Sequence, residues 1–393
     1  MPEQAAEGRL LTSEDIDRGR QEEAKSLAKL RHRLMAVELA LGGFFAVALI
    51  LSGLAQTLKV LVQSSTGRPM LVVAGYFFLL TVTYSVLTFP LEYYGGFRLP
   101  HRFGLSNQTL REWLVDEAKS GLLGLALGLI VVETVYFLLG ALPDWWWLVT
   151  AGLMLVFGVI MANLAPVLLV PIFYKLKLLE DESLEARLKS LAERARTTVR
   201  GVYTIDLSSK TKAANAMVMG LGNTRRIVLG DTLLDHYRSD EIETILAHEL
   251  GHQSRHDLWW GLLLQSLLSV GGLYAANLAL RWGVQVLGYS GLDDVASMPF
   301  LALVMGAFLA VTTPLINAFS RWREWMADEY ALRITDKPRA FVSAMVRLAN
   351  QNMADVDPEP WVEFLLYSHP AVGKRIRRGE KAAETKRAQE VKS

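Results

Sequence analysis

Six apolar runs decide what this chain can fold into. They cover residues 34–58, 70–91, 121–142, 146–170, 258–280 and 298–318. Each is long enough to cross a hydrocarbon core of about 30 Å as an α-helix. Inside such a core no water satisfies backbone N–H and C=O groups, so each run must close its hydrogen bonds internally. Composition agrees, because 51% hydrophobic residues and a mean hydropathy of +0.24 are high for a soluble protein. A mainly α-helical polytopic protein in a lipid bilayer is expected, with residues 34–170 supplying about four spans and 258–318 two more.

The loops set an orientation. With the N-terminus inside, segments 1–33, 92–120, 171–257 and 319–393 are internal, and all are rich in Lys and Arg; the external segments 59–69, 143–145 and 281–297 hold only Lys59, Arg68 and Arg281. This excess of cations marks the cytoplasmic side. Trp145, Trp146, Trp147, Trp259 and Trp260 fall at span ends, where amphipathic rings favour the interface. Residues 1–33 lack the short apolar core and cleavage site of a signal peptide and are read as a cytoplasmic segment. If the source is prokaryotic, the membrane is the cell membrane. A formal net charge of +1 gives no bias toward nucleic acid, and the absence of cysteine leaves His, Asp and Glu to bind any metal.

Residues 171–257 form the longest polar region between spans. Helical periodicity marks 184–196, and short β-branched segments at 202–207, 216–219 and 226–229 predict a small sheet; Gly220, Gly222 and Asn223 supply a hairpin connection. A helix is expected from Ser239 or Asp240, with Glu243 three residues after Asp240 as a capping-box-like start. It carries His248-Glu249-Leu250-Gly251-His252. Two imidazoles four residues apart on one helix face can reach one Zn²⁺, with Glu249 beside it as general base. A further ligand is needed. His256 continues the spacing but stands roughly 12 Å along the axis from His248, too far for convergence. Glu324 and Asp328, after the sixth run, are better placed: Glu324 as third ligand, Asp328 as acceptor from the distal nitrogen of a ligand histidine. The competing reading pairs Glu324 with Arg321 or Arg323.

HELGH, two spans, then Ser320-Arg321-x-x-Glu324-x-x-Ala327-Asp328 resembles the type I CAAX prenyl protease family, integral-membrane zinc endopeptidases related to HtpX-type membrane proteases. Residues 102–109 (RFGLSNQT), Asn215-Ala216, 226–229, 231–234 and Tyr367-Ser368-His369-Pro370 with Arg375 match in the same order. The resemblance implies a gluzincin-like protease domain joined to six or seven membrane helices around a water-filled chamber. It implies one zinc per chain on His248, His252 and Glu324, a general base at Glu249 and a supporting Asp328. It also implies a substrate-holding edge strand at Asn215, Ala216 and Met217, and a pair near the zinc, His369 and Arg375, that hydrogen-bonds the substrate backbone or the developing oxyanion. Packing or capping is an equal reading for His369 and Arg375, as is a turn for Asn215. The chain departs from the family in having six runs and only a few residues between Leu234 and Asp240.

The expected activity is cleavage of peptide or protein substrates at the cytoplasmic membrane face, prenylated or embedded in the membrane. The alternatives are HtpX-type quality control and a non-catalytic zinc scaffold. Glu133 lies mid-span, facing a wet cavity or donating as a protonated acid. The protease domain is expected to resume at 319–376 and a charged, disordered tail to follow at 377–393.

Overall fold

The computed structural model describes residues 9–391. Helices of two turns or more are α1 (Arg18–Leu51), α2 (Leu54–Ser65), α3 (Pro69–Glu92), α4 (Leu110–Ala141), α5 (Trp146–Leu164) and α6 (Glu182–Arg194). After them come α7 (Ser239–Ser254), α8 (Asp257–Val286), α9 (Met298–Thr335), α10 (Pro338–Gln351), α11 (Pro360–Leu366) and α12 (Val372–Glu390). Among the described residues six helices are long and apolar enough to cross a membrane: α1, α3, α4, α5, α8 and α9. Helices α3 and α5 continue through π-helical stretches at Tyr93–Arg98 and Ala165–Leu169, the second containing Pro166, which lacks the N–H an α-helical ladder requires.

The first apolar run is not one helix. It breaks at Gly53, whose φ of +76° is a left-handed conformation that side chains resist. Helix α2 follows with 12 residues, roughly 18 Å long and too short to cross. Periodicity could not reveal the break because both sides of it are apolar. At its other end α1 extends back to Arg18, so the polar N-terminal segment is largely a prolongation of the span.

Neighbouring spans touch in a closed circuit, α1 to α9, α9 to α8, α8 to α5, α5 to α4, α4 to α3 and α3 back to α1. Six cylinders about 10 Å across that meet in a ring enclose an interior about one helix wide. Glu133 of α4 is half-buried.

At one end of the ring sits the polar domain. Its sheet has the order β1-β2-β4-β3, with β1 (Leu176–Leu178), β2 (Val202–Ile205), β3 (Ala216–Met219) and β4 (Arg226–Gly230). The β3–β4 pair is the expected antiparallel hairpin, in register Ala216 to Leu229 and Met219 to Arg226. β2 and β4 run parallel. β1, only three residues long, has no sequence pattern to reveal it. Leu188 and Leu191 of α6, Ile227 and Leu229 of β4, Ile242, Leu246 and Leu250 of α7 and Phe341 of α10 share one buried core.

The segment before α1 docks on this domain: the Leu11 N–H donates to Ser343 Oγ at 2.7 Å, and Gln21 exchanges hydrogen bonds with Ala354 O and Val356 N–H, both at 3.1 Å. The N-terminal segment and the polar domain therefore lie on the same side of the ring, as an even number of spans requires. The tail is a correction. Residues up to Glu390 form α12 rather than a disordered extension, because Gly373, Ile376 and Gly379 recur every third position and are buried. A Cβ on Gly379 would stand 2.7 Å from Val342 Cγ2 and 2.9 Å from Phe341 Cδ1, so the small residue is what lets α12 lie against α10. The high charge of the segment hid that stripe.

Helix α7 starts at Ser239, where Glu241 rather than Glu243 closes the first turn by accepting the Arg238 N–H at 2.8 Å. Glu241 is wholly buried and is also held by Ser343 and by Arg347 Nε at 2.9 Å. Removing one partner of a buried ion pair strands the other charge. Arg347→Met is expected to destabilise the domain by about 3–5 kcal/mol, read as a lowered thermal unfolding midpoint, whereas an unchanged midpoint would show that Glu241 needs no cation.

Candidate metal centre

Gly251 is the residue on which the site closes. A Cβ there would meet Ala327 Cα at 3.1 Å and Ala327 O at 3.3 Å, so α7 crosses α9 at near-backbone contact, with Ala327 fully buried. That crossing carries Glu324, one turn before Ala327, to the two histidines of α7. His248 and Glu324 are buried and His252 is half-buried.

The ligand atoms converge. His248 Nε2 and His252 Nε2 are 3.2 Å apart, His248 Nε2 is 3.2 Å from Glu324 Oε2, and His252 Nε2 is 3.3 Å from Glu324 Oε1. With one ligand atom taken from each residue, the three lie within 4.8 Å of one another, the convergence that a shared metal ion calls for. His248 Nδ1 donates to Asp328 Oδ1 at 2.8 Å and His252 Nδ1 to Asp257 Oδ2 at 2.7 Å, which leaves both Nε2 atoms of the neutral rings as bare acceptors. Three acceptors facing one another repel unless a cation lies between them. Glu324 Oε2 is buried without a hydrogen bond, although His369 Nδ1 is 2.9 Å away; the contact is close but poorly aligned. These residues fit a metal ion. Arg321 and Arg323, the rival partners for Glu324, are both engaged elsewhere.

Each histidine is backed by a carboxylate and each carboxylate by an arginine. Arg375 donates to Asp328 through Nε at 2.9 Å and Nη2 at 2.6 Å. Arg323 holds Asp257 and also donates to Arg255 O at 2.9 Å. The Arg375 guanidinium stands behind His248, on Asp328. Asp257 and Arg323 escaped sequence reasoning. Asp257 looked like an ordinary charge at the start of a span, and only its position five residues after His252 could have drawn notice. His256 adopts φ +56° at the corner between α7 and α8, so the helix ends before reaching it.

Glu249 is half-buried beside its two histidine neighbours, and burial, the largest influence, pushes its carboxyl above the ordinary carboxylate range. Its carboxyl makes no hydrogen bond or ion pair with another described residue. His369, the most exposed group, rides on the loop between α11 and α12. Arg321 Nη1 holds that loop through Glu363 O at 2.9 Å and Tyr367 O at 2.5 Å, while Glu363 accepts the Ala371 N–H at 3.1 Å and Lys374 Nζ at 2.5 Å. Asn215 is exposed, and its carbonyl accepts the Gly230 N–H at 2.9 Å. Ala216 is buried and Met217 half-buried on β3, the edge strand of the sheet, which packs against α7. A cavity of about 260 Å³ adjoins the cluster between α8 and α9, lined on one side by His252 and Glu324 and on the other by Leu264, Leu268, Ile316 and Phe319.

Fold and cluster together define an integral, multi-pass membrane metallopeptidase. The chain belongs to peptidase family M48, which residues 178–383 match; residues 11–175 match the CAAX prenyl protease N-terminal family, described as having five membrane helices. In that region this chain has four helices of crossing length and the shorter α2. A Bacillus subtilis protein named as the uncharacterized metalloprotease YhfN is 28% identical over 362 residues, 91% of this chain and 85% of that protein. CAAX prenyl protease 1 of Saccharomyces cerevisiae is 28% identical over 329 residues, 79% of this chain and 72% of that one. The crystal structure of S. mikatae Ste24p shares the fold, with a TM-score of 0.82 at 21% identity over 96% of this chain and 93% of that chain.

Two outcomes are expected. Asp257→Ala should weaken metal binding about 10–100-fold, measured by chelator competition; retention equal to wild type would remove Asp257 from the site. Glu363 has its pKa held down by Lys374 and the Ala371 N–H against the upward push of burial, which is the largest single influence. A depressed carboxylate stabilises the loop above its unfolded value and loses that contribution as pH falls through the folded value. Exchange protection of the Ala371 amide should therefore drop on acidification, and Glu363→Gln should start low and lose that acid step.

Proposed function

We propose that this chain is a single-zinc endopeptidase that cuts membrane-associated peptide and protein substrates at the cytoplasmic face, on the pattern of the CAAX prenyl proteases among its relatives. One observation carries the reading: the two Nε2 atoms, on rings oriented by Asp328 and Asp257, stand 3.2 Å apart, and each lies 3.2–3.3 Å from one oxygen of the Glu324 carboxylate. His248, His252 and Glu324 would hold the ion. When bound, zinc supplies Lewis acidity and a water ionisable near neutral pH.

The chain's own groups do the remainder. Glu249, its carboxyl pushed up by burial, takes a proton from the attacking water and returns it to the departing amine. Asp328 with Arg375 and Asp257 with Arg323 keep the two imidazoles oriented. An extended substrate adds to the exposed edge of β3 at Asn215, Ala216 and Met217, main chain to main chain, as edge strands accept peptides. His369, exposed and next to Glu324, donates to the scissile carbonyl as negative charge develops on it. The apolar half of the cavity between α8 and α9 receives a hydrophobic side chain of the substrate. The Lys and Arg excess of the internal loops supports the cytoplasmic orientation.

Glu249→Gln should keep stoichiometric zinc and lose peptide cleavage, as shown by metal analysis beside a turnover assay on the purified protein; full activity would sink the assignment. A farnesylated CAAX peptide should be cut faster than its unprenylated twin, and equal rates would favour a general membrane-protein substrate.

A further inference from the structure

A second pocket, of about 680 Å³, lies on the other side of the α7–α8 corner and shares no lining residue with the cavity beside the metal centre. Arg194, Arg196, Arg225, Arg255, Arg333 and His256 line it, and no carboxylate does. None of the five arginines forms an ion pair among the described residues, and the Nε atoms of Arg225 and Arg255 are buried without a hydrogen bond. In a chain of net charge +1 this concentration is local. Five guanidiniums around one cavity repel one another, and donors shielded from water are costly to leave unpaired. An anion with several oxygens would relieve both, since guanidinium forks match phosphate oxygens.

The surroundings identify the anion. Helix α8 leaves this corner to cross the membrane, and Trp259 and Trp260, half exposed, mark the interface within its first turn. Gly261, Leu264, Gln265 and Leu268 of α8 face the metal-side cavity. At 100° per residue, Trp259, Leu263 and Leu267 lie on the opposite face, and all three are exposed. Arginines at the corner where α8 begins, with an exposed aromatic and leucine stripe along that helix, match a molecule with an anionic head and acyl chains. We propose that this pocket binds the phosphate headgroup of an anionic phospholipid from the leaflet on which the peptidase domain sits, its chains lying along Trp259, Leu263 and Leu267.

The test uses the full-length protein in detergent, titrated with phosphatidylglycerol or phosphatidylcholine and read by native mass spectrometry. Phosphatidylglycerol should be retained preferentially. Arg196→Gln with Arg333→Gln removes two exposed cations outside the metal centre, and should weaken retention about fivefold per arginine. Arg225→Gln with Arg255→Gln should do the same by removing the buried donors, and circular dichroism and the thermal midpoint identify any variant that fails to fold. Arg377→Gln with Arg387→Gln on α12 is the charge control and should bind as wild type. Equal retention of the two lipids, an unaffected Arg196/Arg333 variant or an equally weakened control would each overturn the proposal. So would saturation by inorganic phosphate alone that phosphatidylglycerol does not displace.

Discussion

Everything chemical in this molecule depends on one close crossing, Gly251 of α7 against Ala327 of α9. Helices bearing ordinary side chains at their contact pack about 8–10 Å apart; a Cβ on Gly251 would intrude within 3.1 Å of the Ala327 backbone. The glycine of HELGH is thus a geometric requirement as strict as its histidines. It brings a carboxylate from beyond the sixth span to two imidazoles on a helix before the fifth. Parts of the chain some 75 residues apart, separated by two membrane crossings, supply one cluster.

Around that cluster the charges alternate outward: imidazole, carboxylate, guanidinium, once through Asp328 and Arg375 and once through Asp257 and Arg323. A buried carboxylate with no cation behind it would be tempted to protonate, and it would then compete for the histidine proton. At Asp328 burial pushes the carboxyl up, and Arg375 and His248 hold it below the ordinary carboxylate range. His369 stands at the exposed edge of this scaffold, carried by its loop, with Nδ1 2.9 Å from Glu324 Oε2.

The six spans, the hairpin and the three residues of the cluster were legible in the sequence because each has a local or recurrent signature: length of apolar run, glycines between β-branched segments, four-residue spacing. Asp257 and Arg323 were not, since each acts through a contact across helices that leaves no periodic trace. Arg375 was placed near the zinc by resemblance, and its contact with Asp328 is another such meeting across helices. The break at Gly53 was masked by apolar residues on both sides, and the helical tail by charges that outnumber its buried Gly373, Ile376 and Gly379. Local pattern reports which residues are apolar; it is silent on which polar residue another will meet.

The left-handed corner at His256 places Asp257 at the very start of the helix that enters the bilayer. Both carboxylates that orient the imidazoles therefore ride on membrane helices, Asp257 at the start of α8 and Asp328 near the end of α9. Helices adjust their tilt to the thickness of the hydrocarbon around them. A change in tilt of α8 would swing the carboxylate that aims His252, so the thickness of the surrounding membrane becomes a mechanical input to the geometry of the metal centre.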